Sequence, residues 1–298
     1  MCGIVGLLVK NPALRNQLGA LMVPMLVGMT ERGPDSAGLA VYTTPVSERH
    51  HKLSLYSGEI AVDWSELLAR IAADFAHAHE IAAHGNHAVL TSAADPDLLV
   101  AWLARSAPMV AVLSVGQSID LYKDVGAPAD IADRYGFKSL RGSHLVGHTR
   151  MATESAVTVL HSHPFVPIPD LCVVHNGSFS NYATVRRFLE ADGLRFDSDN
   201  DSEVAARYLG SRLEAGDDLE EATRWVMKEM DGFFTMVIST ASGMSVVRDA
   251  FACKPAVVAE APGYVAVASE YRALAELPDI GSARVFEPQP EEVYTWSR

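Results

Sequence analysis

Apolar positions come in two kinds of run along this chain. Short unbroken runs bounded by turn residues read as buried strands, and longer stretches with apolar residues three and four apart read as helices. Gly3 to Val9, closed by Asn11-Pro12, is the first strand, and a helix follows over residues 13 to 31, with Pro24 a blemish. The turn Arg32-Gly33-Pro34-Asp35-Ser36-Ala37-Gly38 leads into a strand from Leu39 to Thr43. From His144 onward strands dominate: Leu145 to Gly147, Leu171 to His175, Phe233 to Ser239, Met244 to Arg248, Ala256 to Ala259 and Tyr264 to Ala268. Two helices interrupt them. One starts near Asp201 with Val204, Tyr208, Leu209 and Leu213, and the other carries Leu219, Ala222, Val226, Met227 and Met230 on one face.

Residues 44 to 144 have a different texture. Trp64, Leu67, Leu68, Ile71 and Phe75 recur at helical spacing, and His87 to Leu90 is a strand. Asp95-Pro96-Asp97 opens a helix through Arg105, with Pro and Asp in favourable first-turn places. Met109 to Val115 is another strand and Pro128 to Tyr135 a short helix. The expectation is a single α+β domain over residues 1–298, with a small α/β segment inserted at about 44–144. Apolar strands with helices between them suggest sheets covered on a helical side.

The chain has 298 residues, enough for a substantial buried core. Its formal net charge is -13. That argues against nucleic acid, whose phosphates need Lys and Arg, and against an anionic membrane surface. Leu18 to Met29 is too short to span a bilayer, and the first residues lack the basic start and cleavage site of a signal peptide. Cys2, Cys172 and Cys253 cannot all pair within one chain and match no zinc spacing, so reduced thiols in the cytoplasm are expected.

Four places carry candidate chemistry. Removal of Met1 would leave Cys2 with a thiol nucleophile and a free α-amine, whose ordinary pKa of about 7.7–8 suits a general base. Alone, a Cys at position 2 is most often chance. Arg150, in Gly147-His148-Thr149-Arg150-Met151-Ala152-Thr153, is suited to a carboxylate, although a lone Arg is more often a surface ion pair. Asn176-Gly177 can offer a side-chain amide and a backbone N–H to one oxyanion, or can be a plain turn. His161, His163 and His175 lie near it, but no Cys or carboxylate completes a convincing metal set. The acidic run Asp197 to Glu203 lacks the Gly and distal Glu of a calcium loop. It fits a helix cap that could also take a substrate ammonium.

The order of these pieces is more specific than any one of them. Met1-Cys2-Gly3-Ile4-Val5-Gly6, the Arg32 to Gly38 turn, His148-Thr149-Arg150-Met151-Ala152-Thr153, His163-Pro164-Phe165, His175-Asn176-Gly177 and Asp201-Ser202-Glu203 together resemble the class II glutamine amidotransferases. Arg248 to Pro255 and Ala268-Ser269-Glu270 are similar to that family's closing strands. The resemblance implies a four-layer αββα Ntn-hydrolase fold. It implies Cys2 as nucleophile with its own α-amine as base, and Asn176 and Gly177 as the oxyanion hole. Arg150 and Thr153 fall in the motif that binds glutamine, Arg150 on the α-carboxylate. Asp201, or Asp199 if the register shifts, would take the α-ammonium. Arg32, counted with the substrate-binding residues, would order the loop over the site. Met151 stands where several members of the family have an aromatic residue.

The insert and the Lys123-Asp124-Val125-Gly126 to Arg134-Tyr135-Gly136 stretch look similar to stand-alone amidotransferase subunits related to the glutamate synthase amidotransferase domain. One such subunit is the small subunit of N-methylglutamate synthase. The implied activity is release of ammonia from L-glutamine through a thioester, for channelling to a synthase-type partner in a hetero-oligomer. No Gly-rich dinucleotide motif or cluster-binding Cys set is present, so any FMN or iron–sulfur cluster is expected in the partners. Two other readings stay open: an Ntn amidohydrolase acting alone on a γ-glutamyl amide, and a non-catalytic scaffold or regulatory subunit.

Overall fold

A computed structural model describes residues 2–152 and 156–298. In chain order the strands are β1 Gly3–Val9, β2 Ser36–Tyr42, β3 His51–Tyr56, β4 His79–His84, β5 His87–Ser92, β6 Ala111–Gly116, β7 Ile119–Val125 and β8 His144–Arg150. They continue with β9 Cys172–Phe179, β10 Gly232–Thr240, β11 Gly243–Arg248, β12 Val257–Ala261, β13 Tyr264–Ala268, β14 Arg284–Phe286 and β15 Tyr294–Ser297. The α-helices are α1 Leu18–Val27, α2 Trp64–Asp74, α3 Pro96–Ser106, α4 Pro128–Arg134, α5 Tyr182–Ala191, α6 Asp201–Glu214 and α7 Leu219–Glu229.

A large sheet, ordered β14-β12-β13-β1-β8-β2-β7, packs on a small one, ordered β15-β11-β10-β9. Ile4, Leu8, Ala40, Val146 and Val267 meet Cys172, Val174, Val237 and Val246 between them. The outer face of the large sheet is covered by α1 and α4, through Leu18, Met22, Leu26 and Ile131. That of the small sheet is covered by α5, α6 and α7, through Val185, Leu189, Val204, Leu209 and Val226. The result is the expected four-layer αββα arrangement. β1 is buried at all seven positions, which is why it is apolar throughout rather than alternating.

Local signals start the helices. The Asn200 side chain accepts from the Ser202 N–H at the head of α6, and Asp218 and Glu221 form a reciprocal capping box on α7. The single helix read over residues 13 to 31 is divided. A 3-10 segment, Pro12–Gln17, precedes α1, and α1 accommodates Pro24 before ending at Val27.

The insertion is shorter than the sequence suggested. A separate sheet, ordered β4-β5-β3-β6, packs on α2 and α3 through Leu53, Leu55, Leu67, Leu90, Leu99 and Leu103. The chain then returns: β7 pairs antiparallel with β2, with Tyr42 opposite Ile119, so the insertion spans 43–118 and α4 lies on the large sheet. The reason is chemical. β7 reads Ile-Asp-Leu-Tyr-Lys-Asp-Val, and its charges sit in the interior with partners instead of marking a loop. Asp120 pairs with Lys52, and Asp124 accepts from Tyr56, Tyr135 and Arg134. At the junction, Asp170 takes the N–H groups of Gln117, Ser118 and Ile119 at 2.8, 2.9 and 3.0 Å.

Candidate functional site

β1, β8 and β9 deliver three of the residues singled out from the sequence. Gly3 lies opposite Thr149, so Cys2 enters the sheet beside the end of β8, where Arg150 sits. Burial pushes the Cys2 thiol above its ordinary pKa, outweighing the hydrogen bond from the Met151 backbone and the nearby positive charges, Arg150 and Lys254 among them. The thiol therefore needs a base to become a nucleophile near neutral pH.

Asn176 comes from β9 in the other sheet. Its neighbour across the ladder, Thr235 on β10, donates its hydroxyl to the Lys254 carbonyl at 2.7 Å. Lys254 is also one of the cations whose charge reaches the Cys2 thiol. The Asn176 Nδ2 is buried and has no hydrogen-bond partner among the described residues. Such a donor is costly in a finished interior and useful where an oxyanion forms. Gly177 is held by a close approach: a Cβ there would lie 2.1 Å from the Phe233 carbonyl oxygen and 2.7 Å from the Phe234 Cα.

Arg32 has a definite place. Its Nε donates to the Cys2 carbonyl at 2.9 Å and its Nη1 to Glu270 Oε1 at 2.8 Å, with the guanidinium largely buried. It fixes the backbone of Cys2 itself. Arg150 is also buried, and its Nη1 donates to the Ala156 carbonyl at 2.9 Å. Thr153 lies outside the described residues.

The two acidic candidates separate. Asp201 begins α6 and accepts the Phe179 N–H at 2.9 Å, which holds it beside the end of β9. Asp199 is 76% exposed and faces His161, 2.6 Å away, on the surface.

Several contributors carry no role in the sequence reading. Glu270 accepts from both Arg32 and Arg272. Ser269 exchanges two hydrogen bonds of 2.9 Å with Ile4, locking β1 just past Cys2. Asp35 accepts the Ala152 N–H at 2.8 Å and orders the chain after Arg150. Glu270 and Ser269 stand in the Ala268-Ser269-Glu270 motif and Asp35 in the Arg32 to Gly38 turn, so the motifs were the available signal. Among the described residues no helix is long and apolar enough to cross a membrane.

Cys2 precedes the central strand β1 beside the buried Arg150, and β9 of the second sheet carries the unpartnered amide of Asn176. Comparisons with known proteins name the family. Residues 148–276 match the glutamine amidotransferase domain family. The glutamine amidotransferase-like protein GlxB of Rhizobium meliloti is 48% identical over 99% of this chain and 98% of its own length. The amidophosphoribosyltransferase of Methanocaldococcus jannaschii is 30% identical over 55% of this chain and 36% of its own. The Bacillus subtilis glutamine phosphoribosylpyrophosphate amidotransferase structure superposes with a TM-score of 0.63 at 16% identity, over all of this chain and 49% of that one, a likeness of fold. The chain belongs to the class II glutamine amidotransferase family.

Proposed function

We propose that this chain is a glutaminase subunit that hydrolyses the side-chain amide of L-glutamine at Cys2 and passes the nitrogen to a synthase-type partner subunit. The observations that carry it are Cys2 beside Arg150 at the head of β1 and the buried, unpartnered Nδ2 of Asn176 on β9 of the second sheet. With Met1 removed, the α-amine of Cys2 takes the thiol proton. The sulfur attacks the amide carbon, and Asn176 and the Gly177 N–H hold the resulting oxyanion. Arg150 takes the substrate α-carboxylate and Asp201 its α-ammonium. The C–N bond breaks as the α-amine returns its proton to the leaving nitrogen, releasing ammonia. Water then hydrolyses the γ-glutamyl thioester to glutamate.

The partner is of the glutamate synthase or N-methylglutamate synthase type, supported by the likeness of the 123–136 stretch to such stand-alone subunits. Exposed apolar side chains, Met151 next to Arg150 among them, suit docking. Phe251 is 79% exposed, and Phe233 lies 5.0 Å under the Lys254 ammonium.

The test is the intact mass of the chain before and after a diazoketone analogue of glutamine, with Cys2→Ala alongside. A chain lacking Met1 that gains one adduct, absent from the variant, supports the reading. A processed chain that stays unlabelled with and without partner subunits overturns it. Asn176→Ala is expected to lower turnover by about two to three orders of magnitude; an unchanged rate removes Asn176 from the oxyanion hole.

A further inference from the structure

Lys123, on β7, is only 4% exposed and carries its charge far inside the molecule. Its Nζ donates to the Ser162 carbonyl at 2.8 Å and the Pro164 carbonyl at 3.2 Å, the two residues that flank His163. The ammonium also lies 5.0 Å from the centre of the Phe165 ring. The backbone here is pressed close, since a Cβ on Gly38 would come 2.1 Å from the His163 carbonyl and 2.7 Å from the Lys123 Cβ.

Neither ring nitrogen of His163 has a hydrogen-bond partner among the described residues. No polar contact fixes that imidazole, so its place depends on where its backbone is pinned. It packs against His148 in a tilted arrangement, with 4.0 Å between ring centres and 31° between ring planes, and meets the edge of Phe165 at 4.9 Å. His148 in turn donates from Nε2 to the His175 carbonyl at 3.0 Å, the peptide that leads into Asn176. A path of contacts therefore runs from Lys123 through the pinned segment, His163 and His148 to the backbone of Asn176.

We infer that Lys123 is a positioning residue for the oxyanion side of the site, acting through His163 and His148 on the His175-Asn176 peptide. The inference rests on the assignment of Asn176 proposed above. Lys123 makes no contact with the reacting atoms in this role. A displacement of about 1 Å in a catalytic group, even when its cause is remote, can cost about 10²-fold in rate.

The charge on Lys123 adds a second signature. The groups facing it are Glu203 on α6, Asp197 in the loop before it, the Cys172 thiol on β9 and His163. Arg207 lines the same small cavity, of about 40 Å3. Burial is the dominant influence and lowers Lys123 to about 8, against the pull of Glu203 and Asp197. As pH rises through that value, the two carbonyls lose a charged donor and keep a weaker neutral one.

The test compares the processed wild-type chain with Lys123→Met and Lys123→Arg, in glutamine hydrolysis across pH and in labelling by the diazoketone. Lys123→Met keeps the stem and removes the donors. It is expected to lower kcat by about 10²-fold with KM little changed, because Arg150 is untouched. Lys123→Arg, whose guanidinium stays charged, is expected to move the alkaline fall in kcat from about pH 8 to higher pH. A wild-type chain that labels beside a Lys123→Met chain with unaltered kcat, or with only KM raised, overturns the role of Lys123 alone. If Lys123→Met does not fold, an alkaline fall unshifted in Lys123→Arg overturns it. A processed wild-type chain that neither labels nor turns over overturns the catalytic reading, and the role of Lys123 falls with it.

Discussion

Acid is expected to unfold this protein earlier than its carboxylates would require. Burial lowers His87, His144 and His175 to about 4 and His148 to about 3, from an ordinary 6.5. All four are neutral in the fold at pH 7. Below pH 6.5 the unfolded chain binds protons that the folded chain refuses, so stability falls as pH drops from 6.5 towards 4. A histidine titrating at 6.5 unfolded and about 4 folded loses about 2 kcal/mol between pH 7.5 and pH 5. Four such groups reach about 8 kcal/mol, within the roughly 5–15 kcal/mol that holds a typical domain together. Asp124, Glu203 and Glu270 are held below their ordinary range by their hydrogen bonds and nearby arginines, so their contribution is lost only at lower pH, below the unfolded values of 3.8 and 4.5. The assay is urea unfolding followed by circular dichroism at closely spaced pH values, read as the slope of unfolding free energy against pH. His144, stacked on Tyr42 at 4.1 Å and hydrogen-bonded to the Thr240 carbonyl, supplies the control. His144→Gln is expected to reduce that slope by about one proton between pH 6 and 5. A slope of zero over that interval in the wild type would refute the reasoning.

Three further outcomes can be checked. Gly177→Ala puts a methyl 2.1 Å from the Phe233 carbonyl, so β9 and β10 must part; turnover is expected to fall by about 10²-fold, measured as kcat on glutamine. Arg150→Lys keeps a cation but loses the planar fork, and KM for glutamine is expected to rise about tenfold or more, with far smaller effects on a neutral nucleophile-directed alkylator. Asp170→Asn removes the charge that accepts three backbone N–H groups and the Ser118 hydroxyl; a loss of about 1–3 kcal/mol by denaturant titration with kcat preserved is expected.

What could be read from the sequence followed from apolar patterning. β1, β8, β9 and β10 are buried nearly end to end, so their runs stood out, and the candidate site residues lie at or beside the ends of such runs. β7 was hidden because its interior charges imitate a loop, and with it went the true end of the insertion. β4 was hidden for a different reason: no residue of His79–His84 is buried and half are exposed, and an edge strand carries little apolar signal. Within the site, spacing and motif pointed to Cys2, Arg150 and Asn176. The grip of Arg32 on Cys2 and Glu270 joins residues too far apart for local patterning to connect.

That grip has a consequence for how the protein comes into being. Arg32 and Glu270 are 238 positions apart, and β1 lies between β8 and β13, so the thiol of residue 2 is set in place by segments made much later. During synthesis the first strand must wait for both neighbours, a high contact order that favours slow assembly. An emerging chain therefore carries an unarmed cysteine: the ladder that aims it and the carboxylate that holds its clamp are complete only after Glu270 has left the ribosome. Recovery of activity after dilution from denaturant should accordingly trail recovery of helical signal, which makes the site a reporter of the last step of folding.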